Sequence, residues 1–119
     1  MTATNSESGV SAGAKVPERE LLDEIVRRIV EVADPDSIIL FGSAARGEWT
    51  PDSDIDLLVV KSDVEHRGRL AEEIYVKLIG ILAAVDILVV TPRDIEIFRD
   101  KIGTVINPAL TEGKTIYAA

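Results

Sequence analysis

Residues 37–60, SIILFGSAARGEWTPDSDIDLLVV, contain two short apolar runs joined by a polar connection. The runs at 37–41 and 54–60 are rich in Ile, Leu and Val, and each has the length of a buried β-strand. Gly42 follows the first run directly and indicates a tight turn that opens a short helix over 42–47. This stretch therefore predicts a strand, a turn with a short helix, and a second strand.

Helical apolar spacing lies on both sides of this stretch. Before it, the pattern runs from Pro17 to Ala33, and Asp34 before Pro35 ends it. After it, an amphipathic helix is predicted from apolar residues that share one side of a helix, namely Leu70, Ala71, Ile74, Tyr75, Leu78, Ile79 and Leu82.

A third strand is predicted at 85–90, and Thr91 with Pro92 indicates that a capped helix starts after it. The last segment predicts a possible helix over 103–112 interrupted by Pro108, a stop at Gly113 and a short strand at 115–117. This order of elements predicts a small α/β or α+β domain with one mixed sheet covered by helices.

The length of 119 residues suits a single domain, which we place at 17–119. Residues 1–16 are rich in Ser, Ala, Gly and Thr without apolar periodicity, so we expect a disordered tail there. They lack the charged and apolar regions of a secretory signal, and no stretch has the length of a membrane span. We therefore expect a cytoplasmic protein with no membrane partner.

The charge balance is acidic, with 21 acidic and 13 basic residues and a net charge of −8. Phosphate contacts dominate the affinity of proteins for nucleic acids, so direct nucleic-acid binding is not expected. The chain has no cysteine, which excludes disulfides and thiolate metal sites. An acidic protein that binds a polyphosphate needs a cation or a set of amide donors.

Asp54 and Asp56 are two residues apart on the second predicted strand, so their side chains leave the same face of the sheet. Two carboxylates about 7 Å apart repel each other unless a cation lies between them. Oxygen ligands without His or Cys favour Mg²⁺ or Mn²⁺. The alternative is that both acids are simply solvated at the start of a strand.

Three further positions are candidates for the same site. Gly42 and Ser43 open the short helix, where free backbone amides and a hydroxyl could hold phosphate oxygens. Asp86 is a charge within an apolar strand, which is costly unless it faces a polar site; the alternative is an exposed strand start. Arg46 could pair with a phosphate or form a surface salt bridge to Asp52 or Glu48.

The assembly resembles the nucleotidyltransferases of the DNA polymerase β superfamily, and most closely their minimal branch. The mark of that branch is Gly-Ser, ten residues, then Asp-x-Asp, and here Gly42-Ser43 is followed by AARGEWTPDS and then by Asp54-Ile55-Asp56. The resemblance extends over residues 21–117. It implies a small nucleotidyltransferase fold.

The resemblance also implies a mechanism. Asp54 and Asp56 would bind two metal ions, Asp86 would share the second and accept the proton of an acceptor hydroxyl, and Gly42 and Ser43 would hold the β- and γ-phosphates of a nucleoside triphosphate. The acceptor oxygen would attack the α-phosphorus and pyrophosphate would leave. Positioning and charge neutralisation supply most of the rate in such transfers.

Minimal members of this kind resemble antitoxins that transfer AMP from ATP to a hydroxyl, expected to be a tyrosine, on a HEPN ribonuclease toxin. Two other activities fit the same residues. One is transfer to a small-molecule hydroxyl such as that of an aminoglycoside, and the other is an antitoxin that neutralises its partner by binding alone. Polymerases of the superfamily add domains that bind nucleic acid, and from the length of 119 residues we expect the catalytic core alone and not a polymerase.

Overall fold

The computed structural model describes residues 15–101, 103–104 and 106–119. Most of the predicted tail, residues 1–14, lies outside the described residues. Its last two residues precede the first helix, and Lys15 forms an isolated parallel bridge with Glu48. The Lys15 amide donates to the Gly47 carbonyl at 2.7 Å, and the Trp49 amide donates to the Lys15 carbonyl at 2.9 Å.

The predicted order of helices and strands is confirmed. The elements are α1 (Arg19–Ala33), β1 (Ser37–Phe41), α2 (Ser43–Arg46), β2 (Ile55–Val60), α3 (Arg67–Lys77), β3 (Val85–Val90), α4 (Pro92–Phe98), α5 (Ile106–Glu112) and β4 (Lys114–Ala118). Within the described ranges, no helix is both long enough and apolar enough to cross a bilayer.

The four strands form one mixed sheet, as the sequence predicts, and the structure gives their order as β3-β2-β1-β4. β1 runs antiparallel to both β2 and β4, whereas β2 and β3 are parallel. The end of β1 and the starts of β2 and β3 therefore meet at one end of the sheet. β1 and β2 are its two central strands.

The sheet is covered on both faces because its central strands alternate two sets of apolar side chains. On one face, Leu57 of β2 belongs to a buried cluster with Ile25 and Ile29 of α1 and Ile74 of α3. On the other face, Leu58 belongs to a second cluster with residues of α5, and residues of α4 pack against that cluster. These clusters assign α1 and α3 to one layer and α4 and α5 to the other.

The helix α3 is shorter than predicted, and the inward position predicted for Ile79 and Leu82 is wrong. The helix ends at Lys77, and the two side chains are 74% and 97% exposed. Gly80 adopts a φ of 99°, which turns the chain away from the helix axis. The Arg28 guanidinium donates to the carbonyls of Lys77 and Ile79, at 3.2 and 2.9 Å, and so takes the place of a further helical turn.

The start of α4 follows the prediction closely. The Asp94 amide donates to Thr91 Oγ1 at 3.1 Å, and the Thr91 amide donates to Asp94 Oδ2 at 2.9 Å, which completes a capping box. In α5, Pro108 does not interrupt the helix as predicted. The helix starts at Ile106, so Pro108 lies in its first turn, where an amide has no intrahelical partner to lose.

Candidate active site

The three candidate acids lie at the end of the sheet where β1 stops and β2 and β3 start. Asp56 pairs with Phe41 across the antiparallel strands and with Asp86 across the parallel pair. Asp54 immediately precedes β2. Because it lies two residues before Asp56, its side chain points to the same face of the sheet. The backbone therefore brings together three acids that are separated by up to 32 positions in the sequence.

Asp56 lies in the least favourable position of the three for a negative charge. Its side chain is partly buried, whereas Asp54 and Asp86 are exposed. Burial raises the pKa of Asp56, the negative charges of Asp86 and Asp54 raise it further, and the positive charge of Arg46 lowers it. The local excess of negative charge favours a cation at this end of the sheet.

Gly42 lies directly against the Asp56 carboxylate. Its backbone has φ 70° and ψ −154°, a conformation adopted almost only by glycine. A Cβ placed on Gly42 would overlap Asp56 Oδ2 and lie 3.2 Å from the Asp56 Cγ. The turn after β1 thus requires glycine both for its backbone conformation and for its approach to the acid.

Ser43 is the first residue of the short helix α2, which continues from this turn. The Gly42 carbonyl accepts hydrogen bonds from the amides of Ala45 and Arg46, both at 3.1 Å. The preceding amides, those of Ser43 and Ala44, have no carbonyl one turn earlier within the helix. Ala44 and Ala45 are buried in the cluster that contains Leu57 of β2, so α2 is held against the sheet directly after Gly42, which contacts Asp56.

Arg46 forms ion pairs in this structure. Its Nε donates to Glu48 at 2.9 Å and its Nη1 donates to Glu112 at 3.3 Å. The pair with Glu48 is one of the two partners that the sequence suggests, whereas Asp52 is not a partner. Glu112, at the end of α5, was missed by the sequence because the contact depends on how α5 packs on β1. Arg46 still lies close enough to Asp56 to lower its pKa.

Tyr75 is a further polar group at this site, although the sequence pattern places it only on the apolar side of α3. Its hydroxyl accepts a hydrogen bond from the Ile87 amide at 2.8 Å and donates one to Asp86 Oδ1 at 3.2 Å. No spacing rule connects Tyr75 with a strand residue eleven positions later. The contact depends on the packing of α3 beside the edge strand β3.

The donor chemistry of the three acids fits a divalent cation. All the candidate ligands are carboxylate oxygens, which Mg²⁺ and Mn²⁺ prefer. The negative charges of Asp86 and Asp54 beside Asp56 attract such an ion electrostatically. In the described part of the chain, no three Asp, Glu, His or Cys side chains converge closely enough to hold a metal as they stand. Repulsion between carboxylates favours this spread arrangement.

Comparison with known proteins gives two kinds of match. A model of the nucleotidyltransferase domain family matches residues 19–107, about three quarters of the chain. No curated protein sequence gives a significant match.

Two solved structures share the fold. A candidate nucleotidyltransferase from Sulfolobus solfataricus superposes with a TM-score of 0.57 at 20% identity, over 83% of this chain and 78% of the other. A toxin-antitoxin structure with AMP-PNP superposes with a TM-score of 0.57 at 23% identity, over 82% of this chain and 73% of the other.

Proposed function

From the premise that the chain belongs to the nucleotidyltransferase domain family, we propose that it transfers AMP from ATP to a tyrosine hydroxyl of a HEPN ribonuclease toxin and so acts as an antitoxin. The observation that carries the transfer chemistry is the placement of Asp56, which lies beside Asp86 on the neighbouring strand and against Gly42. This placement joins the two halves of the Gly-Ser and Asp-x-Asp motif in space.

In this proposal, Asp54, Asp56 and Asp86 bind divalent cations, Mg²⁺ or Mn²⁺. When bound, such ions neutralise the charge of the triphosphate and of the leaving pyrophosphate. Gly42 and Ser43 donate to the β- and γ-phosphates, and a glycine lets the backbone approach them closely. Asp86 accepts the proton of the acceptor hydroxyl. The acceptor oxygen forms a bond to the α-phosphorus, and the bond from the α-phosphorus to the bridging oxygen breaks as pyrophosphate leaves.

Arg46 has a role in phosphate binding in this proposal. It lies on α2, three residues after Ser43, and its guanidinium is bound by Glu48 and Glu112 on the surface. Surface ion pairs of this kind contribute little free energy, because water screens both charges. A triphosphate oxygen can therefore compete with the two glutamates for the guanidinium.

Two observations support a protein as the acceptor. The toxin-antitoxin structure that shares this fold was solved with AMP-PNP, an ATP analogue. In addition, the three acids line none of the main cavities of the described residues. A small-molecule acceptor is normally enclosed by a pocket, whereas a protein acceptor brings its own surface to an open site.

The test is to incubate the chain with each α-labelled nucleoside triphosphate, Mg²⁺ and the protein encoded beside it, and to ask which chain becomes labelled. We expect label from ATP on a tyrosine of the neighbour, and loss of that label with Asp56→Asn. A gene for a HEPN protein is expected next to the gene for this chain. Absence of labelling with every nucleotide in Mg²⁺ would refute the transfer.

Two further measurements, labelling with an aminoglycoside in place of the partner and neutralisation of the toxin by variants, separate the two alternatives. Label that appears on an aminoglycoside without any protein partner would indicate a small-molecule acceptor. If the Asp56→Asn and Asp86→Asn variants neutralise the toxin as well as the parent does, the chain acts by binding rather than by transfer.

A further inference from the structure

The Tyr75 hydroxyl joins the helix α3 to the candidate base at the edge of the sheet. It lies 2.8 Å from the Ile87 amide nitrogen and 3.2 Å from Asp86 Oδ1. Among the described residues β3 is an edge strand, so no strand of that part of the chain lies on the side of the Ile87 amide that is bonded to Tyr75. The hydroxyl therefore bonds the backbone of β3 and a side chain of β3 at adjacent positions.

The chemistry of a phenol fixes the direction of these two bonds. A tyrosine hydroxyl has one proton and two lone pairs. Because the Ile87 amide can only donate, the Tyr75 oxygen accepts there, and its single proton is directed to the carboxylate of Asp86. One oxygen of Asp86, Oδ1, is thus engaged, and Oδ2 is left for other partners.

Without this bond, little would restrain the Asp86 carboxylate. Its side chain is exposed, and Asp86 lies next to Asp56, whose negative charge repels it. The only hydrogen bond to the Asp86 side chain within the described residues is that from Tyr75.

We propose that Tyr75 is a positioning residue, which holds Asp86 by one oxygen so that the other is presented to the metal and to the acceptor hydroxyl. This inference rests on the proposed function of Asp86, and it adds a residue that the motif does not contain. Partners that hold a ligating side chain in this way typically change metal affinity or activity by about 10–100-fold when they are removed.

The test compares Tyr75→Phe with Tyr117→Phe, which removes the only other tyrosine hydroxyl in the chain. Tyr117 packs on the apolar cluster beneath α1, and its pairing partner is Ile38 of β1, away from the acids. For Tyr75→Phe we expect kcat to fall about tenfold with the KM for ATP unchanged, and Mn²⁺ affinity without nucleotide, measured by electron paramagnetic resonance, to fall about tenfold. Tyr117→Phe should change neither quantity.

A spectroscopic measurement tests the contact in a chain that keeps Tyr75. In the Tyr117→Phe variant Tyr75 is the only tyrosine, so 3-fluorotyrosine reports on it alone in ¹⁹F NMR. Mg²⁺ should shift that resonance, and Asp86→Asn should abolish the shift. This arm remains decisive if the Tyr75→Phe variant does not fold.

Three outcomes separate this inference from the proposed function. The positioning role would be overturned if kcat and Mn²⁺ affinity are unchanged in Tyr75→Phe. It would also be overturned if the fluorine resonance does not shift when Mg²⁺ is added. Neither result would contradict nucleotidyl transfer itself. Weaker Mn²⁺ binding by Tyr75→Phe in a protein that labels no acceptor would support the positioning role and refute the proposed function. Label found on Tyr75 itself would make it an acceptor and overturn its assignment as a positioning residue.

Discussion

Asp56 makes the metal-free protein less stable than its fold would otherwise be. Burial and the charges of Asp86 and Asp54 raise the pKa of Asp56, so the folded chain binds this proton more tightly than the unfolded chain does. The resulting stabilisation is complete below pH 3.8, the ordinary pKa of Asp, and is lost as the pH rises through the raised pKa of Asp56 in the folded chain. At neutral pH the ionised Asp56 therefore opposes folding.

We predict that Asp56→Asn abolishes nucleotidyl transfer and raises the melting temperature at pH 7 by roughly 4 °C, equivalent to about 1 kcal/mol. The difference from the parent should shrink as the pH is lowered towards the pKa of Asp56, because the parent then becomes neutral at this position too. Calorimetry at several pH values measures both effects. The control is Asp100→Asn, which removes one charge beyond the end of α4. If both variants stabilise the chain equally, the local cluster is not the cause.

Gly42 is predicted to be essential for activity. Gly42→Ala would place a strained alanine at φ 70° and a methyl group against Asp56. We expect transfer to fall by about 100-fold, since a displacement of about 1 Å at a reacting centre has that effect. Stability should fall by about 2–3 kcal/mol, which chemical denaturation measures.

Gly80→Ala is the matched control for this substitution. Gly80 has a φ of 99°, so an alanine there is also strained, but its Cβ would meet no atom of the described residues within 4 Å. It should lose stability by about 1 kcal/mol and keep its activity. In a double-mutant cycle of unfolding free energies, Asp56→Ala should recover the part of the stability loss of Gly42→Ala that is due to the contact between the new methyl group and the Asp56 carboxylate. Equal loss of activity in Gly42→Ala and Gly80→Ala would contradict the role assigned to Gly42.

At the scale of the elements, the junction between α5 and β4 depends on Gly113. A Cβ at this position would overlap the Ala109 carbonyl oxygen and lie 2.6 Å from Ile39 Cγ2. Gly113→Ala should therefore destabilise the fold by about 2 kcal/mol or more, because the helix must move away from β1. The free energy of unfolding in urea checks this.

The substitution Gly68→Ala, in the helix α3, should change stability in the opposite direction. Gly68 lies in the first turn of α3, and a Cβ there meets nothing within 4 Å. The substitution should stabilise the chain by about 0.5–1 kcal/mol, since alanine loses less backbone entropy than glycine in a helix. A stabilising Gly113→Ala would show that the α5-β4 junction is looser than described.

The elements that the sequence predicts well are those set by local signals. β1, the turn at Gly42 and β2 follow from apolar runs and a glycine, and the α4 start follows from Thr91, which caps residues only three positions away. The end of α3 was mispredicted because apolar spacing continued to Leu82, while the turn depends on Gly80 and on Arg28 from another helix. A local sequence pattern gives no information about a contact with a residue of a distant element.

The same limit applies to the candidate site. Gly42, Ser43, Asp54 and Asp56 were singled out together because they lie within fifteen positions of one another. Asp86 joins them only through the parallel pairing of β2 with β3, and its strand context allowed that prediction. The contacts of Tyr75 with Asp86 and of Arg46 with Glu112 depend on how helices pack, so no sequence spacing indicated them.

At the scale of the whole molecule, the net charge of −8 acts on folding through self-repulsion. Raising the NaCl concentration from about 20 to 200 mM should raise the melting temperature of the metal-free chain by a few degrees, because salt screens charges separated by more than the Debye length. The rise in melting temperature should be smaller for Asp56→Asn, because this variant removes one negative charge from the group formed by Asp54, Asp56 and Asp86. A melting temperature that falls with added NaCl would contradict this account.

Binding should produce a larger effect than salt. A ligand that binds only the folded state at about 100 times its dissociation constant adds about 2.7 kcal/mol to stability. Mg²⁺ with a non-hydrolysable ATP analogue should therefore raise the melting temperature by several degrees, and Asp56→Asn should remove most of that rise. No shift at millimolar concentrations of both would argue against the site as a whole.

The bond from the Ile87 amide to Tyr75 has a consequence for how the protein behaves when it is concentrated. β3 is an edge of the sheet, and an edge with free amides can pair with a strand of another molecule and begin aggregation. An exposed apolar side chain, Leu88, lies on β3 itself. By occupying an outward amide in the middle of β3, the Tyr75 phenol obstructs such pairing. The residue that we propose orients Asp86 would thus also limit association of the chain with itself through this edge.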